Sequence, residues 1–426
     1  MLVLLGAFEC APQSAPPRIE QKPADVALNT PDPPGFGRSS AAVPVITSTL
    51  HVVGNHLEDH GKPVRLFGVN HSGTETSCRG WHGETSLFQG PTDESLVAGM
   101  KTWHVNAVRI PVNEDCWLGI NGIADAMGGR NYQRALVNYV RMLRNGGLYV
   151  IFDLHMNSAG DVTANGANIS EQQAMADRAH SVDFWKTAAW AFKDDPGVLF
   201  DLYNEPAIND GNKTITGCDG MACWECWLKG CSLQTRVRNP QTHEEQPLKT
   251  VTWETAGMQA LVDAVRSVGA GNVVLAGGLN YASQLDHWVK YKPTDPRNNL
   301  AASFHTYSGV NDCRDADDIC LNKWWNRQLS GIVEAGHPIV AGEFGEYGGC
   351  ATESDFMKSW LAFSDPKGIS YAAWTWDTWG DCASGPNLIK DYDGTPNGAS
   401  AQAYHDYLLK VAPLGVPAGS DPRGSF

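Results

Sequence analysis

Eight short apolar runs recur between residues 64 and 374, with amphipathic stretches between them. The runs are Val64–Asn70, Asn106–Pro111, Leu148–Leu154, Val198–Tyr203, Asn272–Ala276, Leu300–Phe304, Pro338–Gly342 and Ile369–Trp374. Each is apolar almost throughout rather than at alternate positions, a pattern that suits a strand covered on both faces, as in a parallel sheet. Residues 95–103, 132–145, 182–192, 255–268, 323–335 and 353–363 each carry their apolar side chains on one helical face. Eight strands alternating with helices predict an α/β chain folded as a (β/α)8, or TIM, barrel. An open doubly wound sheet is the competing arrangement, but no glycine-rich phosphate-binding turn follows the first run. Ahead of the barrel, the text from His51 to Pro63 reads as a β-hairpin feeding the first strand. Segment 207–250, rich in Gly, Cys and polar residues, is a long cysteine-rich insertion after strand 4, expected as a loop overhanging the mouth.

A chain of 426 residues accommodates one such domain plus tails. Met1 to Phe8 is apolar, too short to span a bilayer and without the basic residues of a complete signal peptide, so it reads as the remnant of one. Residues 11–44 hold eight prolines among Ala and Ser, the composition of a semi-extended, disordered leader. The expected organisation is leader over 1–45, barrel over 46–412 and flexible tail over 413–426. No later stretch is apolar enough for a transmembrane helix. Against 32 Lys+Arg stand 47 Asp+Glu, and a net charge of −15 disfavours nucleic acid and anionic membranes as partners. Of the 11 cysteines, Cys10 lies in the leader, which leaves an even ten and favours disulfides and a secreted, extracellular or periplasmic protein. The group Cys218, Cys223, Cys226 and Cys231 has a CxxC centre that zinc could use, but no second CxxC pair accompanies it, so disulfides are the better reading.

In a parallel barrel the C-terminal tips of the strands converge, so the residues there must be read together. They are Asn70, Arg109, Asp153 and His155, Asn204 and Glu205, His305 and Tyr307, Glu343, and Trp374 and Trp376. Taken singly, Arg109 with a buried acid would be a structural ion pair, and His155 or His305 a satisfied core histidine. The joint pattern points further. Glu205 and Glu343 sit on strands 4 and 7, with no hydroxyl nucleophile beside a base and no metal cage among the tips. Two opposed carboxylates are what glycosidic cleavage needs, one protonating the leaving oxygen and the other attacking or assisting at the anomeric carbon. Arg109 near Glu343 would keep that glutamate ionised, and Tyr307 could donate to the same carboxylate. Glu205 would have to hold a proton, by partial burial under an aromatic rim. Asn204 is a neutral donor suited to a sugar 2-hydroxyl. Asp153-Leu154-His155 with His305 could instead suggest a metal hydrolase, but a bridging carboxylate and further histidines are missing at the tips.

Fifteen Trp and twelve Tyr are many for this length, and flat aromatic faces suit sugar rings. Trp374, at a strand tip, is expected to floor the sugar site with Trp376 beside it, while Trp81, Trp117 and Trp224 could extend the cleft from mouth loops.

These residues resemble glycoside hydrolase family 5, retaining glycosidases on a (β/α)8 barrel, over roughly residues 50–410. The most specific matches are Tyr203-Asn204-Glu205-Pro206 and Gly342-Glu343-Phe344-Gly345. Val108-Arg109-Ile110-Pro111, Asp153-Leu154-His155, His305-Thr306-Tyr307 and Trp374-Thr375-Trp376 support them. The resemblance implies Glu205 as acid/base and Glu343 as nucleophile, their oxygens ~5 Å apart, with Arg109, His155, Asn204, His305, Tyr307 and Trp374 as the remaining active-site positions. The expected partner is a polysaccharide or oligosaccharide, with a monomer and no cofactor or metal expected. An open cleft lined by Trp favours an endo-β-1,4-glucanase, with β-mannanase as the alternative. An insertion that walled off the cleft would favour an exo- or side-chain-acting glycosidase. A barrel that binds sugar without turnover would have no use for two differentiated glutamates.

Overall fold

The computed structural model describes residues 47–79, 86–161, 170–210, 218, 220–237, 249–309, 313, 318–348, 350, 355–383 and 385–411, all within one compact unit. Each apolar run becomes a parallel strand, and the eight close into a barrel. They are β4 (Phe67–Asn70), β5 (Ala107–Asn113), β6 (Tyr149–Met156), β7 (Val198–Asp201), β10 (Val274–Gly277), β11 (Leu300–Tyr307), β12 (Ile339–Gly345) and β13 (Ser370–Ala373). The numbers β1–β3 and β8–β9 belong to two smaller antiparallel sheets, taken up below. Nearly every barrel-strand residue is buried, which is why the runs are apolar at successive positions rather than alternate ones. Helices cover the outside, and the one at Arg130–Asn145 buries Tyr132, Leu136, Tyr139, Val140 and Leu143, the stripe its periodicity predicts.

The N-terminal text forms the expected antiparallel hairpin with one strand more, a sheet of three strands. They are β1 (His51–Val53), β2 (His56–Asp59) and β3 (Lys62–Val64). Val64 pairs back on Leu57, so the barrel strand begins only at Phe67. Leu50, Leu57, Val64 and Leu66 pack in one cluster with Ala107, Tyr149, Ile151, Leu199, Leu275, Ala301 and Val340. Most of these barrel residues stand near the N-terminal starts of their strands, so the small sheet seals that end. The opposite end stays open for chemistry. Truncating Leu57 to Ala in such a cluster costs about 2–5 kcal/mol.

The insertion after β7 is more ordered than a loop. Among its described residues are a helix at Met221–Lys229 and the antiparallel pair β8 (Ser232–Val237) and β9 (Lys249–Glu254). Cys223, Trp224, Cys226 and Trp227 form the buried face of that helix. Its Gly and Cys content, read as loop chemistry, instead marks the helix ends: Gly220 and Gly230 flank it, and Cys218–Cys223 and Cys226–Cys231 are disulfides. Cys78–Cys116, Cys313–Cys320 and Cys350–Cys382 complete five bridges, so no thiolate of the four-cysteine cluster is left for zinc. The expected leader (1–45), the tail (413–426) and Trp81 lie outside the described residues.

Candidate active site

Arg109 is the hub. It is fully buried on β5, and its guanidinium hydrogen-bonds four acceptors and pairs with a fifth group. Nε donates to Asp201 (3.0 Å), and Nη1 to Asn70 (3.2 Å) and Glu343 (2.6 Å). Nη2 donates to Asn204 (2.8 Å) and faces Asp153 at 3.1 Å. Burial opposes its charge, but Asp153, Asp201 and Glu343 outweigh burial and raise its pKa further above the usual range. One guanidinium cannot neutralise three carboxylates. Burial pushes Asp201 up to about 7 against the pull of Arg109, with Asp153 and Glu343 repelling it as well, and its Oδ1 has no hydrogen-bond partner among the described residues. Asp201 is therefore a carboxylate that takes up a proton near neutral pH.

Strand register delivers the other groups. Asn70 stands opposite Arg109 across β4 and β5, and Asp153 opposite Asp201 across β6 and β7. Irregularities in β11, between Ser303 and His305, and in β12, between Ala341 and Phe344, shift the pairing so that His305 stands opposite Glu343. Glu343 accepts from Arg109 on Oε1 and from the Tyr307 hydroxyl on Oε2, each at 2.6 Å. Burial beside Glu343 raises the Tyr307 pKa far above its ordinary range. Glu205, four residues beyond β7, has its Oε1 2.9 Å from His305 Nδ1 and its Oε2 2.5 Å from the Gln172 amide, which donates. Burial pushes His305 down to about 4, with Arg109 and His155 adding to the effect, so near pH 7 its contact with Glu205 is that of a neutral imidazole. His155 is the opposite case. Burial opposes its charge, but the Asp153 carboxylate at 2.6 Å, with Glu343 and Glu75 nearby, raises its pKa.

Glu205, His305 and Glu343 each bring one donor atom within 4.8 Å of the other two, the single such triad among the described residues. It does not suit a resident metal ion. All four carboxylate oxygens already face protein N–H, O–H or imidazole groups, and the Arg109 charge at Glu343 would repel a second cation. The same geometry sets two carboxyls side by side with unlike surroundings, one held by a cation and a phenol, the other by a neutral imidazole and an amide.

The aromatics divide differently from the sequence expectation. Trp374 is partly exposed and stacks on His155, centroids 5.6 Å apart at 19°. Trp376 is fully buried against Trp103 at 5.0 Å, because the chain turns under the barrel rim and its N–H bonds Asn70 O (2.7 Å), so it cannot touch a ligand. Trp117 is likewise buried, on Phe152 and Phe184, and Trp224 is sealed between Trp227 and Tyr291. Neither extends the cleft. Among the described residues, two exposed rings were not anticipated: Tyr347, 60% exposed beside Tyr307, and Trp379, 44% exposed beside Trp374. Trp379 closes the same Trp-dense tract that contains Trp374, so its composition carried a signal. Gln172, in polar text after β6, carried none.

The chain matches the family model described as Cellulase (glycosyl hydrolase family 5) over residues 57–380. Endoglucanase C of Evansella cellulosilytica is 21% identical over an alignment of 342 residues, with 75% of this chain and 34% of that protein covered. The match thus spans about a third of that relative's length. A β-glucanase from Saccharophagus degradans, also solved in complex with cellotetraose, superposes with a TM-score of 0.61 at 21% identity, covering 90% of this chain and 98% of its own. A β-mannanase from Streptomyces thermolilacinus, solved with mannohexaose, gives a TM-score of 0.54 at 19% identity, covering 85% of this chain and 95% of its own. At such identities the likeness in coordinates speaks for the fold.

Proposed function

The chain belongs to glycosyl hydrolase family 5, and on that premise we propose that this glycoside hydrolase is a secreted, retaining endo-β-1,4-glucanase with Glu343 as nucleophile and Glu205 as acid/base. The Glu343 carboxylate attacks the anomeric carbon as the glycosidic C–O bond breaks, and Glu205 gives its proton to the leaving oxygen. Water then attacks the glycosyl-enzyme ester, its proton passes to Glu205, and Glu343 leaves as carboxylate. Arg109 and Tyr307 hold Glu343 for in-line attack, and Asn204, fixed by Arg109, is placed for a sugar hydroxyl. His155 and Trp374 form a stacked wall for the ring.

The observation that carries this reading is the spacing of the two glutamates. Oxygens within 4.8 Å suit the roughly 5–5.5 Å of a retaining pair and leave no room for the water that an inverting pair holds across roughly 6.5–9.5 Å. Endo action on glucan is supported by the exposed rings of Tyr347 and Trp379, which extend apolar surface beyond Tyr307 and Trp374 as a long chain of sugars would require. Secretion is supported by the five disulfides. No helix among the described residues is long and apolar enough to cross a membrane. The mannanase fold likeness makes β-mannan the second substrate to try.

The test is proton NMR of early products on a panel of β-glucan, mannan, xylan and aryl glycosides. The expected result is a β-anomer appearing first, with internal cleavage of β-1,4-glucan. An α-anomer appearing first would overturn the mechanism, and preference for mannan would overturn the substrate.

A further inference from the structure

Gln172 is tied down on both sides. Glu171 exchanges two backbone hydrogen bonds with Asn157 at the end of β6 (3.1 and 3.2 Å), and the Gln173 carbonyl accepts from the Tyr203 hydroxyl at 2.9 Å. The amide between these anchors is delivered, with little freedom left, to Glu205 Oε2 at 2.5 Å. An oxygen that already receives an N–H is a poorer place for a proton, because in a neutral carboxyl the carbonyl oxygen is the stronger acceptor and the hydroxyl oxygen the weaker one. The other oxygen, Oε1, faces Nδ1 of the neutral His305 ring at 2.9 Å, and in its Nε2–H tautomer that ring accepts a hydrogen bond there.

We propose that Gln172 is a positioning residue for proton donation: its amide confines the Glu205 proton to Oε1 and stabilises the charge that develops on Glu205 as that proton leaves. The inference rests on Glu205 being the acid/base. As the glycosidic bond breaks, the Oε1 proton moves to the leaving oxygen and Glu205 becomes a carboxylate. A donor already fixed at Oε2 binds that developing anion more strongly than the neutral acid, so it favours the transition state over the ground state. Titratable groups facing Glu205 among the described residues include His305 and Tyr307 on β11, Glu343 on β12, Tyr347 after β12 and Tyr281 after β10. Burial holds the three tyrosines above their ordinary values, Tyr347 at about 12, so they stay protonated through the working range.

The test compares Gln172→Leu with Glu205→Ala and the parent enzyme on aryl glycosides of the sugar series cleaved in the panel, one with a poor phenol leaving group and one with dinitrophenolate, which needs no proton. For Gln172→Leu, kcat/KM on the poor leaving group should fall roughly ten- to a hundredfold, the loss of one hydrogen bond to a charged group. On dinitrophenolate it should stay within about twofold, and the alkaline limb of the pH profile should move upward, because the anion loses a donor. Gln172→Glu places a second carboxylate at the same oxygen and should move that limb further in the same direction. Equal losses on both leaving groups, or an unmoved alkaline limb in both variants, would overturn the proposal. If Glu205→Ala itself lost equally on both leaving groups, the acid/base reading would fall first. The selective pattern in Glu205→Ala with none in the Gln172 variants would sink this inference alone.

Discussion

Arg109 ties four hydrogen-bond acceptors and the paired Asp153 from four strand tips to one rigid fork, a geometry that a lysine's three donors could not reproduce. With Arg109 on Oε1 and the Tyr307 hydroxyl on Oε2, Glu343 is fixed at both oxygens before any substrate arrives, and the positioning is made during folding rather than during turnover. Replacing Glu343 by Gln keeps the shape and removes the charge that attacks. Turnover should fall by several orders of magnitude while calorimetry still detects oligosaccharide binding; a rate within tenfold of the parent would refute the nucleophile assignment. The carboxyl pair and the residues around Glu343 were legible in the sequence, since each stands at a strand tip within a short motif. Gln172 was not, because its role depends on a backbone bridge between Glu171 and Asn157 that no local pattern announces.

Among elements, the barrel strands were legible from their unbroken apolar runs, and the helices from their periodicity to within a few residues. The insertion was misjudged because Gly and Cys suggest loops, whereas here they cap and clamp a helix whose Trp224 and Trp227 are buried. Trp117 and Trp376 failed as cleft residues for a related reason: a tryptophan near the mouth serves the core or the ligand according to which way the local turn faces. The disulfides differ in what they join. Cys78–Cys116 links the loop after β4 to the short helix after β5 across a separation of 38, and Cys226–Cys231 closes a separation of only 5. With the chain-entropy relation, replacing the first pair by Ser should cost about 4 kcal/mol and the second about 2 kcal/mol. Guanidinium unfolding of the two double variants checks this order, and a larger loss for the short loop would contradict it.

For the molecule as a whole, acid stability depends on buried groups of opposite sign. Burial pushes both His71 and His305 down to about 4. Between about 6.5 and 4 the unfolded chain binds protons at these positions that the folded chain does not, so each costs stability as pH falls through that window. Asp201 and Asp377, both raised to about 7 by burial, act in the other direction: the folded state holds protons there that the unfolded chain, ionised above about 3.9, does not, so stability grows as pH falls from about 7 toward 4. The parent curve should therefore be flatter than either pair alone would make it. His71→Gln isolates one contribution. Relative to the parent it should gain roughly 3 kcal/mol between pH 7 and pH 4, read from urea unfolding at both values. A difference independent of pH would overturn this account of His71.

The amino-acid sequence by itself determined the barrel and the two glutamates, because both follow from patterns only a few residues long: an apolar run, a strand tip, a proline that ends it. Tertiary structure alone decided that Arg109 serves three carboxylates at once, that Trp379 and Tyr347 rather than Trp117 and Trp224 face outward, and that Gln172 reaches Glu205. These depend on segments far apart in the chain meeting at one end of a closed sheet, where register and loop direction, rather than local composition, set which side chains touch.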